Sequence, residues 1–158
     1  MINFFRKILS QKSNPQVIAV TIYPDTIEFK TMNQIKNSYW SNSDEMEYLN
    51  LNASNEEIGK IISKQLSLSK YGIKIEDKLP HQSTVKQKRK SVKESMKDSK
   101  LVSIRRHNNE ITFVPTFNGG STGKNRGYMH LENTIEINSD SNFECLGKTF
   151  REAELRCQ

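Results

Sequence analysis

Two histidines and a lysine in the second half of the chain, His107, His130 and Lys124, are the residue types of a metal-free ribonuclease. In that chemistry one imidazole takes the 2′-hydroxyl proton, another protonates the leaving oxygen, and a cation steadies the phosphate. Here the three fall on a hairpin turn, a strand and a long loop, and nothing in the sequence makes them converge. The segment "GGSTGK" suggests a phosphate-binding loop instead, but Asn118 stands where the first glycine is required and Asn125 where Ser or Thr must follow Lys124. The chain then continues as "RGYMHLENTIEI", which reads as a strand, whereas a phosphate loop must feed a helix. Residues 117–127 are therefore expected to form a mobile hairpin loop.

Other chemistry finds no better support. No His, Cys or carboxylate cluster has metal-ligand spacing, and no cofactor motif is present. Cys145 and Cys157 lie too far apart along one predicted helix to form a disulfide, and neither belongs to a C-x-x-C pair. Both are expected to be small core residues in a reducing compartment.

Aromatic residues interleaved with cations are more informative. Tyr39, Trp40, Phe113, Phe117 and Tyr128, with Arg105, Arg106, Lys124 and Arg126, could stack bases or anchor a protein partner, although strand aromatics are often core residues. The net charge is +6. Much of it lies between Lys86 and Lys100, where Lys86, Lys88, Arg89, Lys90, Lys93, Lys97 and Lys100 face only Glu94 and Asp98. Such a run attracts polyanions or acidic proteins, or simply forms a solvated connector.

The elements that position these residues are written twice. "VIAVTIYPDTIEFKT" and "LVSIRRHNNEITFVP" align 84 residues apart (102 − 18), matching Ile18 with Val102, Val20 with Ile104, Ile27 with Ile111 and Phe29 with Phe113. Each reads as strand, turn, strand, with Pro24 and Asp25 or Asn108 and Asn109 suited to the turn. After the longer second-half loop the offset is 88 (147 − 59), and the strands "EYLNLN" and "TIEIN" lead to polar caps at Ser54 and Asn55 or Ser141 and Asn142. Helical stripes follow: Ile58, Ile61, Ile62 and Leu66, then Leu146, Phe150, Ala153 and Cys157. Gly59 and Gly147 recur at one point of each helix, which implies close approach to a sheet.

The expected fold is α+β, a duplicated ββββα unit of two antiparallel sheets, each with a C-terminal helix. The 158 residues make one domain: a first repeat over about 15–70, a basic connector over 71–100 with one helical turn at Val92 and Met96, and a second repeat over 101–157. A short amphipathic N-terminal helix is expected from Phe4 and Phe5 through Ile8 and Leu9. No run approaches the ~20 apolar residues of a membrane span, and no secretory signal is evident, so a cytoplasmic protein is expected.

The combination of "YLNLNASNEEIGKIISKQLSLS" with the C-terminal "INSDSNFECLGKTFREAELRC" resembles the immunity proteins of bacterial contact-dependent growth inhibition (CDI). The resemblance runs from about Val17 to Cys157 and implies a Whirly-like fold and a non-enzymatic antitoxin. Such a protein binds the C-terminal domain of a cognate toxin, often a nuclease, and blocks its active site. No contact residues carry over, because each immunity protein matches its own toxin. Many immunity proteins for nucleases are acidic, whereas this chain is basic, which points to a toxin surface with acidic patches or to aromatic anchoring. The expected contact surface is Arg105, Arg106, His107, Lys124, Arg126 and Tyr128. The rival expectation is a single-stranded nucleic-acid-binding module.

Overall fold

Alternation of apolar side chains puts Ile18, Val20 and Ile22 of strand β1 (Gln16–Ile22) on one face, and Ile27 and Phe29 of β2 (Ile27–Gln34) on the same face. In the computed structural model, which describes residues 13–77, 89 and 91–158, the two strands form a hairpin across Tyr23–Thr26. The Tyr23 amide closes that turn by donating to the Thr26 carbonyl at 2.9 Å. The second half repeats the device with β4 (Lys100–His107) and β5 (Glu110–Asn118), joined through Asn108 and Asn109. Asn108 has a φ of 54°, a left-handed conformation that asparagine tolerates.

The expected pair of separate sheets is corrected. A single seven-stranded sheet runs in the order β3 (Trp40–Leu49), β2, β1, β4, β5, β6 (Tyr128–His130), with β7 (Ile135–Asn138) also on β5, because β1 and β4 pair antiparallel and join the halves. Ile18 faces Ile104, Ala19 faces Ser103 and Val20 faces Val102. Ala19 and Ser103 are themselves equivalent in the repeat, so the pairing is self-complementary about that position and defines a pseudo-twofold axis. Joined edges satisfy backbone groups that two separate sheets would expose.

The four-strand count holds only in the second half. Tyr39 lies just outside β3 (Trp40–Leu49), which is one strand where two were expected and crosses an irregularity opposite Lys30 to Met32. The equivalent second-half stretch is cut into β6 (Tyr128–His130) and β7 (Ile135–Asn138), both beside β5. A turn in which the Thr134 amide donates to the Glu132 carbonyl separates them.

Helices α1 (Asn55–Leu68) and α3 (Phe143–Arg156) begin where the polar residues place them. Ser54 and Glu57 form a reciprocal capping box, and Asn142 accepts from the Cys145 amide at 2.8 Å. Both helices lie on the same face of the sheet, with Ile58, Ile62, Leu66, Leu146, Phe150, Ala153 and Cys157 buried against the strand side chains; Ile61 packs at the margin. Of the cysteines, Cys157 joins the core and Cys145 is only half-buried.

The recurring glycines act differently from the expected helix–sheet contact. A Cβ at Gly59 would stand 1.9 Å from the Phe143 carbonyl oxygen, and one at Gly147 would stand 1.9 Å from that of Asn55. Each glycine receives the first turn of the other helix, as the pseudo-twofold axis requires. Asn55 also donates to the Glu144 carboxylate at 2.9 Å across this crossing.

The connector contributes a parallel bridge between Ile35 and Ile73, a 3₁₀ turn over Ile75–Asp77, and the one-turn helix α2 (Val92–Met96), with Met96 buried and Val92 exposed. The expected N-terminal helix, and Lys86, Lys88 and Lys90 of the basic run, lie outside the described residues.

The crossing gives a prediction of opposite sign to helix propensity. Alanine in place of glycine inside a helix ordinarily stabilises by about 1 kcal/mol. Gly147→Ala should instead destabilise by about 1–3 kcal/mol, the usual cost of overpacking, read as a lower urea midpoint at unchanged slope.

Candidate partner-binding face

Because α1 and α3 share one face of the sheet, side chains of the opposite parity emerge on the other. Val17, Ala19 and Thr21 of β1, Glu28 and Lys30 of β2, and Leu101, Ser103 and Arg105 of β4 share this open face through their strand register. Thr112 and Val114 of β5 continue it. Its two ends differ.

At the first end, the β1–β2 turn, α2 and Arg89 enclose a cleft of about 430 Å³ whose walls include Thr21, Tyr23, Glu28, Lys30, Ser95 and Tyr128. Glu28 is only 4% exposed, yet its carboxylate is satisfied: Lys30 Nζ lies 3.1 Å away and the Tyr48 hydroxyl donates at 3.0 Å. Two opposite charges held together in this way avoid the cost of a lone buried ion. The Arg89 guanidinium stacks over Tyr23, 4.3 Å from the ring centroid, and pairs with the Asp25 carboxylate. Its Nε is buried without a hydrogen-bond partner. The Tyr128 hydroxyl shares a hydrogen bond of 2.6 Å with Ser99. Burial pushes the Tyr23 phenol well above its ordinary range, with Glu28 adding to the effect, and burial likewise raises Tyr128.

At the other end, Arg105, His107, Asn108, Asn109, Glu110 and Thr112 line an open cleft of about 490 Å³ around the β4–β5 turn. Ser13 reaches its rim, accepting from the Asn108 amide at 2.7 Å.

Of the residues expected to form one contact surface, the structure brings Arg105 and His107 together. Arg106, one residue between them, turns to the helix side and donates to Gln16 Oε1 at 2.7 Å and Ser67 Oγ at 3.2 Å. It braces β1 against the end of α1. Lys124, Arg126 and Tyr128 stand at the far end of β4 and β5, ~20 Å away at the rise of a β-strand. The same distance separates His107 from His130 and Lys124, so the ribonuclease trio is not assembled. The glycine-rich loop is a hairpin connection, closed by amides of Gly119 and Gly127 donating to the carbonyls of Gly127 and Gly120. Among the aromatics, Phe113 is core, Phe117 and Tyr128 are half-buried, and Trp40 meets Tyr71 edge-on at 6.3 Å.

Sequence reasoning missed the Glu28–Lys30 pair and the seat of Arg89. A signal was present in "TIEFK", where two charges at alternate positions must emerge on the same face of a strand.

Among the described residues no three His, Cys, Asp or Glu side chains are grouped to hold a metal, and no helix is long and apolar enough to cross a membrane. The geometry among the described residues is α+β, with one sheet face covered by α1 and α3 and the other left largely open. Residues 16–157 match the family model for CdiI, the CDI immunity protein, and the chain belongs to that family. A search of curated protein sequences gave no match. The fold is shared with a protein of unknown function from Neisseria meningitidis, at a TM-score of 0.72 and 14% identity, covering 92% of this chain and 96% of that one. It is also shared with a chain of a CdiA-CT/CdiI toxin and immunity complex from Yersinia pseudotuberculosis, at a TM-score of 0.65 and 17% identity, covering 93% and 99%.

The raised tyrosines set a sign for alkaline stability. A group whose folded pKa exceeds its unfolded value of 10.0 keeps the fold's full stability below pH 10 and loses it as pH climbs toward the folded pKa. The double variant Tyr23→Phe, Tyr128→Phe should therefore lose less stability than the natural chain between pH 9 and about 11, measured by urea midpoints across that range.

Proposed function

We propose that this chain neutralises one cognate CDI toxin by binding its C-terminal domain stoichiometrically and covering the active site, and that the toxin domain is a nuclease acting in the cytoplasm where the immunity protein resides. The observation that carries the reading is the family match, which spans nearly the whole described fold. Likeness to a chain of a toxin and immunity complex supports it. An inhibitor needs a pre-formed surface more than a catalytic set, and a sheet face fixed by pairing on both sides loses little freedom on binding. With a net charge of +6, this protein favours acidic parts of its partner over mimicry of nucleic acid.

Two tests bear on this reading. Affinity-tagged protein expressed from its native operon should recover the toxin domain in one-to-one ratio, and its expression should protect cells that produce the toxin. Failure of both ends the proposal. The second reading, a single-stranded nucleic-acid-binding module, draws on Lys93, Lys97 and Lys100 near α2 and Lys124 and Arg126 in the loop that ends at Tyr128. Under the immunity reading, gel shifts with single-stranded RNA should show no complex at 50 mM salt. A complex that weakens steeply with added salt would favour phosphate contacts.

A further inference from the structure

The duplication allows the two clefts of the open face to be compared position by position. Thr21, Tyr23, Asp25 and Glu28 around the first correspond to Arg105, His107, Asn109 and Thr112 around the second. Central core pairs of the strands change little across the repeat: Ile18 becomes Val102 and Phe29 remains Phe113. The cleft residues instead change in charge. At the first end Glu28 is compensated by Lys30, while Asp25 and the Tyr23 ring hold a basic side chain from the connector, Arg89. In the second, Asn109 and Thr112 take the places of Asp25 and Glu28, Arg105 that of Thr21 and His107 that of Tyr23, while Glu110 on the rim is the carboxylate that lines it. Among the described residues, neither the Arg105 guanidinium nor the His107 ring has a hydrogen-bond or ion-pair partner.

We infer that the second cleft is the seat for an acidic side chain of the toxin, an aspartate or glutamate on a protruding segment, held by Arg105 and His107 as the first cleft holds Arg89 with reversed charge. The inference rests on the immunity reading and names the contact within it. An arginine fork takes a carboxylate through two parallel N–H···O bonds, which gives geometry as well as attraction. A nucleic-acid backbone fits less well. Glu110 lies on the rim, and Glu136 stands next to Thr112 in the β5–β7 register, so a chain of phosphates crossing the cleft would meet both carboxylates.

The test is titration calorimetry with the purified toxin C-terminal domain that the tagged protein recovers. Arg105 is exposed, so Arg105→Glu should melt within about 2 °C of the natural protein, yet bind the toxin at least about tenfold more weakly. Arg105→Lys should recover part of the loss, because a point charge replaces the fork. Lys148→Glu, exposed on α3 on the helix-covered side, should change affinity by less than about twofold. Arg105→Glu combined with His107→Ala binding within about twofold of the natural protein would overturn the inference. So would tighter toxin binding after removal of residues 1–12, which would assign the cleft to the chain's own N-terminal segment. Loss of single-stranded RNA binding in Arg105→Glu with toxin affinity intact would assign it to nucleic acid, also against the inference. If the natural protein neither binds the toxin nor protects cells, the immunity reading fails, and this contact falls with it.

Discussion

Antiparallel pairing of β1 with β4 is the constraint from which the rest of the molecule follows. Because Ala19 faces Ser103, its own equivalent in the repeat, the two hairpins are related by a twofold operation and their apolar sides point the same way. Both helices must then cover one continuous face, and the same axis brings their first turns together. A side chain at either Gly59 or Gly147 would strike the partner helix's backbone. The close approach also sets two positive helix ends side by side. Glu56, Glu57 and Glu144 in the first turns offset that charge, and the Asn55–Glu144 hydrogen bond ties the ends together.

Sequence periodicity carried much of this. Hairpins, turn residues, cap positions and most of the buried stripes of α1 and α3 follow from local rules, while Ile61 lies at the core margin and the first half has one strand where two were expected. Partnering was less accessible. A strand's own residues say which side is apolar, but β1 and β4 carry no mark that each is the other's neighbour, so one sheet reads as two. The glycines show the same limit: the missing Cβ signals a close contact without saying what approaches. At the surface the gap widens. Arg105 and Arg106 are adjacent and chemically alike, yet the pleat sends one to the open face and the other to brace Gln16 and Ser67. Arg89 sits in a run of cations whose composition gives no hint that it stacks on Tyr23 from far along the chain.

The two halves also separate what the fold demands from what it leaves free. Central strand positions facing the helices stay apolar across the repeat, as Ile18 and Val102, Val20 and Ile104, and Phe29 and Phe113 do, since a close-packed core penalises change. Toward the strand ends this relaxes, and Ile22 is replaced by Arg106. Positions facing outward have no such limit. Val114 stands where Lys30 stands, and Thr112 where Glu28 does, so the compensated ion pair of the first half has no counterpart in the second. Such divergence fits a scaffold whose interior is fixed by its own symmetry and whose exposed face is free to be matched to a partner.

Asymmetry at the ends of the open face follows from the linear chain. The connector that joins the repeats must pass from the end of α1 to the start of β4, and on the way α2 and Arg89 close over the first hairpin. One chain has one such connector between its repeats, so the pseudo-twofold axis that governs the core does not extend to its covering. Opening the first end would release the Arg89 stacking on Tyr23 and its pairing with Asp25. The second end carries no ion pair of this kind among the described residues. Among the described residues Arg105 and His107 hold no hydrogen bond or ion pair there, so recognition through them avoids the release of Arg89 that binding at the other end would require.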